Sequence, residues 1–562
     1  MAKSILLSSL RRYTKLQSLY LSGPGSLRPV GIKQVFGIAA AAPCACHPEA
    51  VDGDRWVGLS HTDLARRLGV QGLVEPAATE VPEGRFTVDS GTILDVWRFP
   101  QTEYCAACQV LQSWGEASGS AGRPRGPDSL GICCQAGSSG HPRRKQTLQF
   151  EFLWVCPTGH LESYAPSCPA CGAHLKRAGS ATDYAVPLKC ASCDFSVEIT
   201  LDDIKECAGL LPHANTPAER IGPCDERMRL RRLTDASIWQ GRMLTALHLP
   251  RHVLVTEEQY DRICEAVETR AFSLKESRAE QLTYVRDKLT EAGLEAGVDD
   301  ADITTVIERD QQEHDVADLD DLDGDLRRAE MEEFQHLLDQ DIDMPLFVGT
   351  KADVLADGPY RAVSGLERLR ATTVLTAASR LDGPESREML WGHQPSADDF
   401  GAKGHGWLPA FESFGEGLLL WIDPEWLSSV TDPYEAAHTC SHVAVRALAK
   451  HAGVSQTAVR ERIYMEPVPA VLLYLATGDQ VGTLGGLASL SRDPSWLSEV
   501  LHDEVQTQRW CSMDPVCQAE RGGACHHCLY LAETSCEGTV GAHGLIHNDK
   551  LRRHSLKAWW VR

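Results

Sequence analysis

Three things are missing from this sequence, and each absence removes a class of activity. No Gly-x-x-x-x-Gly-Lys-Ser/Thr loop occurs in its 562 residues, so the chain has no P-loop with which to cradle nucleotide phosphates. No Gly-x-Ser-x-Gly elbow is present, which removes the usual way of presenting a serine nucleophile. No run of eighteen apolar residues exists, so no transmembrane helix is expected.

What is abundant is cysteine. Twenty cysteines in a small secreted chain would read as a disulfide framework. In a chain this long, with pairs repeatedly two residues apart, they read instead as metal ligands in a reducing cytoplasm. The hydrophobic content of 43% and charged content of 24% are ordinary for globular protein, and the length predicts several cores. The net charge of -23 is concentrated: between Glu291 and Asp343 there are 20 acidic residues against Arg309, Arg327 and Arg328, so basic patches are compatible with the remainder.

Three cysteine groups emerge. Cys168-Pro-Ala-Cys171 and Cys190-Ala-Ser-Cys193, with 18 residues between them, have the spacing of a zinc ribbon. Ala185–Lys189 and Phe195–Ile199 are predicted strands around the second turn. Cys105-Ala-Ala-Cys108 is a second knuckle, with Cys133 and Cys134 offering further ligands after a Gly-, Ser- and Pro-rich loop; adjacent cysteines share one tetrahedral ion poorly, so Cys156 or His160 are substitutes. Near the C-terminal end Cys511, Cys517, Cys525, Cys528 and Cys536 make the third group. Its simplest ligand set is Cys517, Cys525, Cys528 and Cys536, with Cys511 the spare. Cys44-Ala-Cys46-His47 is a weaker cluster and reads as a surface loop.

Between these groups the pattern is mixed. Thr256-x-x-Gln259 is a capping box opening a long charged helix that reaches about Gly293. The acidic stretch beyond it predicts a helical arm whose acids stay in solvent or imitate the charge of DNA toward a basic partner. Within it Asp321-x-Asp323-Gly324-Asp325 with Glu330 approaches a calcium loop, but Leu319 stands at the first ligand position. Arg227–Arg232 reads as a solvated helix face, or as a stripe for phosphates. Tyr434–Ala452 is a predicted helix ending at Gly453, Ser455 N-caps a second helix through Tyr464, and Val471–Ala476 is a strand covered on both faces.

Hydrolytic chemistry has one candidate. His438 and His442 lie at i and i+4, the spacing by which two imidazoles share a metal, and Asp479 would complete a site for a metal-dependent nuclease or hydrolase. Thr439 stands where the zinc-protease pattern needs glutamate, and core histidines are the plainer reading.

His438-Thr-Cys-Ser-His442, Glu461-Arg-Ile-Tyr464, the glycine loop Gly478–Leu487, Trp510-Cys511 through Cys517 and Glu533-Thr-Ser-Cys536-Glu537 together resemble the DrmB family. Trp154–Leu161, Leu366–Leu381 and Leu408–Gly417 are similar to it as well, so the resemblance runs in blocks from about Trp97 to His547. DrmB is the accessory protein of the bacterial DISARM anti-phage system, and its C-terminal domain is shared with certain DNA helicases. Arg11-Arg12 followed by Gly23-Pro24-Gly25 resembles the start of that family, in a segment that otherwise has the composition of a transit peptide.

The resemblance implies a non-enzymatic zinc-binding subunit that partners a DrmA-like helicase and reaches DNA through the complex. The fold expected is a mixed, multidomain α+β chain: an N-terminal region (1–96), a cysteine-rich zinc-ribbon region (97–250), a helical acidic insertion (251–345), a mixed core (346–433) and an α/β C-terminal domain with a cysteine-rich zinc site (434–562). The basic, tryptophan-containing tail Lys550–Arg562 has the composition of a single-strand contact or a docking segment.

Overall fold

The computed structural model describes, with short breaks, residues 26–39, 56–76, 96–113, 147–249, 257–355, 358–385, 407–476, 486–517 and 524–536. The Cys44–His47 group, Cys133, Cys134, Asp479, most of the glycine loop and the tail lie outside them. The chain mixes helices and several sheets, and divides into two compact units. The first comprises Met1–Gly58, Val74–Arg242 and Leu375–Phe411; the second comprises Leu59–Leu73, Met243–Val374 and Glu412–Arg562. No described helix is long and apolar enough to cross a membrane.

The first unit is built from small antiparallel sheets. One runs in the order Leu161–Ser163, Phe152–Val155, Arg227–Arg232, Ile204–Glu206. Its second strand is buried throughout because the period of two sends Phe152 and Trp154 into one core and Leu153 and Val155 into another. The expected helix at Arg227–Arg232 is a strand. Alternation decides it: Met228 and Leu230 point inward while Arg227 and Arg229 are exposed, a period a helix cannot satisfy. Beside it, Leu175–Arg177, Ala185–Cys190 and Ser196–Thr200 form a three-stranded sheet, close to the predicted strands.

The second unit centres on the strand Ala470–Ala476, paired on one side with Val459–Tyr464 and on the other with residues 415–421 of Trp407–Ile422. Val471, Leu473 and Leu475 pack on one side beneath the helix Pro433–Leu448, and Leu472 and Tyr474 pack on the other against Leu319–Asp339. Asp432 N-caps the first of these helices, accepting from the Glu435 amide at 2.9 Å, with Pro433 following where its missing N–H costs nothing. Gly453 takes a left-handed φ of 74° beyond its end.

The helix expected after Ser455 is instead one 3-10 turn, Gln456–Ala458, followed by the strand Val459–Tyr464, all six residues of which are buried. Val459, Ile463 and Tyr464 favour that state, and pairing with Ala470–Ala476 outweighs the local helical propensity.

The long charged helix is two, Glu257–Arg270 and Arg278–Ala292, packed with Asp300–Glu313 around Ile263, Val285, Leu289 and Ile303. The acids of the following helix do not all stay in solvent. Asp323, Glu330 and Glu333 are buried, and Asp321 to Glu330 lie along one helix instead of a calcium loop. Glu330 accepts from Arg462 at 2.7 and 3.1 Å, from the Tyr464 hydroxyl at 2.9 Å and from the Leu247 amide at 2.9 Å. Met331, Phe334, Leu337 and Leu338 seal the contact, so this part of the acidic stretch belongs to the core.

Candidate metal centres

Four groups of four donors converge among the described residues, the donor atoms of each lying within 4.8 Å of one another. Each could hold a metal ion.

The first is the predicted ribbon group. Cys168 and Cys171 come from one tight turn and Cys190 and Cys193 from another, with Sγ–Sγ separations of 3.7 Å (Cys168–Cys193) and 3.4 Å (Cys171–Cys190). These are too long for a disulfide and near the roughly 3.8 Å edge of a tetrahedron of thiolates about 2.3 Å from one ion. The Ser192 amide donates to Cys190 Sγ at 3.2 Å and holds that thiol down to about 6, favouring the thiolate a metal needs.

The second group is Cys156, His160, Cys207 and Cys224. Cys156 and His160 were substitutes for completing the Cys105–Cys108 knuckle; the structure gives them other partners. Cys156 and Cys224 lie 3.8 Å apart, and the Gly209 amide donates to Cys207 at 3.4 Å. Burial and then the nearby Arg380 guanidinium lower the pKa of His160, which keeps its ring neutral and able to ligate. Arg380, itself buried and pushed down to about 9 by desolvation, holds the turn in place by donating to the carbonyls of Gly159 at 2.9 Å and Ile238 at 2.6 Å. Cys207 and Cys224 escaped the sequence reading because neither sits in a spaced pair. Cys105 and Cys108 join no such group among the described residues.

The third group differs in one member from the expected ligand set. Cys511 stands with Cys517, Cys525 and Cys528, and Cys536 does not. Cys511–Cys525 is 3.6 Å and Cys517–Cys528 is 3.8 Å, all four side chains being buried around Leu529 and Val505. The reason is local: the Cys511 turn, closed by Asp514 N–H to Cys511 O at 3.0 Å, folds its sulfur back toward Cys525. Cys536 is anchored elsewhere by the Ser535 carbonyl, which accepts from the Glu461 amide at 3.2 Å.

The fourth group is His438, His442, Glu461 and Cys536. The histidines share one face of Pro433–Leu448, their rings 4.5 Å apart and edge-on. Asp479, the carboxylate expected with them, lies outside the described residues; Glu461, carried by the buried strand, occupies that role. His438 Nε2 is 2.9 Å from Glu461 Oε1 and 3.3 Å from Cys536 Sγ, and His442 Nε2 is 3.4 Å from the same carboxylate oxygen. Burial alone would depress both histidines, but the Glu461 carboxylate holds them up, His438 to about 10 and His442 to about 9. Val459–Tyr464 carries three adjacent charged residues, Arg460, Glu461 and Arg462, so nothing in the spacing singled out Glu461, and the helix expected there obscured it.

Comparisons with known proteins agree with the motifs. Residues 16–240 match the family described as Domain of unknown function (DUF8724). The chain is 29% identical over 225 residues to DISARM protein DrmB of Bacillus paralicheniformis, covering 32% of this chain and 39% of that protein. It thus spans about two fifths of the length of the curated relative it matches. A solved structure described as DUF1998 helicase MrfA bound to DNA overlaps 39% of this chain and 26% of its own, at 11% identity and a TM-score of 0.21, too slight a likeness to establish a shared fold. Over the matched part the chain is thus similar to DrmB, the family that its motifs resemble.

Proposed function

We propose that the chain is a non-catalytic, zinc-binding partner of a DrmA-like helicase in DISARM defence against phage, that it works in the cytoplasm, and that it engages DNA through the assembled complex. The carrying observation is the convergence of cysteine-rich donor sets on turns whose backbone amides donate to sulfur: Ser192 to Cys190, Gly209 to Cys207 and Met513 to Cys511. Sulfur donors fixed on tight turns are what a structural zinc ion takes, and four thiolates, or three with an imidazole, leave a zinc ion no open position for a substrate. Zinc in such a site supplies folding energy and holds loops; the protein residues supply the surfaces for partners.

The hydrolase reading through His438 and His442 loses ground because both side chains are 0% exposed, leaving no path for a scissile phosphate. In this reading ATP hydrolysis belongs to the partner, in keeping with the lack of a P-loop in these 562 residues. The test is co-purification with the helicase of the same system, with zinc analysis of chelator-free protein and nuclease assays on the chain alone. Zinc, a stable complex and no cleavage are expected. Zinc-free folded protein, or cleavage abolished by His438→Ala, would overturn the reading.

A further inference from the structure

The notable feature of the fourth group is that nothing about it suits an active site and everything about it suits a closed ion. All four side chains are sealed from solvent: His438, His442 and Glu461 are 0% exposed, and Cys536 is 1% exposed. They arrive from three separate places, the helix Pro433–Leu448, the strand Val459–Tyr464 and the Ser535–Cys536 segment. Burying a carboxylate and a thiol among imidazoles is costly unless the charges are matched, and a thiolate plus a carboxylate balance one divalent cation.

The distances agree with that charge count. Ligand atoms about 2.0–2.1 Å (N, O) and 2.3 Å (S) from a tetrahedral ion stand roughly 3.3–3.6 Å from one another. The separations of 2.9, 3.3 and 3.4 Å among His438 Nε2, Glu461 Oε1, Cys536 Sγ and His442 Nε2 are close to that, before the contraction or relaxation an ion would impose.

The groups behind the donors point the same way. His442 Nδ1 donates to the Leu529 carbonyl at 2.6 Å, which turns Nε2 inward, 3.4 Å from Glu461 Oε1. The Ser441 hydroxyl donates to Glu461 Oε2, while Oε1 is the oxygen that faces His438 and His442. Carbonyl-oriented histidine and hydroxyl-oriented carboxylate are the outer partners that metal ligands require.

We propose that His438, His442, Glu461 and Cys536 form a closed four-coordinate metal site of N2OS composition, which pins the helix, the strand and the Cys536 segment together. Two imidazoles, one carboxylate and one thiolate suit a divalent ion of borderline softness, zinc foremost. Leu529 follows directly on Cys528, so the carbonyl that orients His442 couples this centre to the neighbouring four-cysteine group.

The experiment uses the full chain loaded with cadmium-113 and read by NMR, alongside metal counting of the zinc form. Thiolate-rich sites resonate far downfield, whereas a site with one thiolate resonates well upfield of them. Wild-type protein is expected to give one such upfield resonance. Cys536→Ala removes it together with one metal ion per chain, while Cys536→Asp, which can still ligate, retains the ion. Wild-type protein with only thiolate-rich resonances overturns the proposal, as does Cys536→Ala protein with an unchanged metal count. The wild-type spectrum requires no variant to fold. It also separates this site from the three thiolate-rich groups, so failure of the zinc reading proposed for those would be seen as the loss of the downfield set alone.

Discussion

The four-cysteine group of the first unit and the four-cysteine group of the second have the same donors and opposite settings. Cys171 is exposed and Cys193 partly so, on turns that protrude from a small sheet. Cys511, Cys517, Cys525 and Cys528 are all buried, and their apolar neighbours include Val443 of the central helix. An ion held by the same four donors would therefore have different consequences for the fold. In the first case an ion would close two turns whose Cys168 and Cys190 are buried but whose Cys171 faces water; in the second its loss would leave four thiols packed inside a core, which must rearrange or open.

The largest effect that would test this contrast is Cys528→Ser. It removes a ligand and buries a hydroxyl at a site with no exposure, so several kcal/mol of stability are expected to go, with a lowered melting temperature and early proteolysis beyond Gln508. A melt indistinguishable from wild type would mean that the buried cluster carries no ion.

Next comes Arg462→Ala, which leaves Glu330 without its ion-pair partner in the core, while Asp323 keeps Arg327 at 2.7 Å. Arg462 lies 2.7 Å from Glu330 and 3.6 Å from Asp323, and all three side chains are no more than 5% exposed. Breaking such a pair costs about 3–5 kcal/mol, to be measured by urea denaturation. A cost below about 1 kcal/mol would return the acidic helix to the solvated arm that its composition suggests.

How much of this was legible beforehand follows from the kind of signal each residue carried. Cys168, Cys171, Cys190 and Cys193 were legible because their spacing encodes two turns and needs no tertiary information. Cys207, Cys224 and Glu461 were not, since each is brought to its partners by sheet pairing across tens of residues. The Cys511–Cys536 swap had the same cause: spacing counts thiols, while backbone anchoring, here Ser535 to Glu461, chooses among them. Val471–Ala476 was readable as a doubly covered strand from its unbroken apolar run. The acidic helix misled because its 3.6-residue stripe of Leu326, Phe334 and Leu337 is interrupted by the carboxylate of Glu330, which pairs with a distant arginine.

A smaller effect is expected from Cys171→Ser. The protein should lose one zinc ion by metal analysis while the second unit melts as before, because the altered side chain faces solvent. Loss of the second unit's transition as well would erase the difference between the two clusters.

The smallest effect on stability belongs to the paired substitution Arg227→Ala with Arg229→Ala. Both side chains leave the exposed face of a strand whose opposite face, through Met228 and Leu230, supplies the packing, so stability should change by no more than about 0.5 kcal/mol. Arg231 and Arg232 are unsuitable for this test because they donate to the carbonyls of Leu201 and Thr182, at 3.3 and 3.1 Å, and Arg232 also lies over the Phe152 ring. The informative measurement is the salt dependence of DNA binding by the helicase complex. Each neutralised phosphate contributes about 0.9 to the slope of log affinity against log salt on duplex DNA, so two lost contacts reduce it by roughly 1.8. A reduced slope with an unchanged melt makes this strand face a phosphate contact; an unchanged slope leaves it a solvated surface and moves the DNA-facing side of the subunit elsewhere.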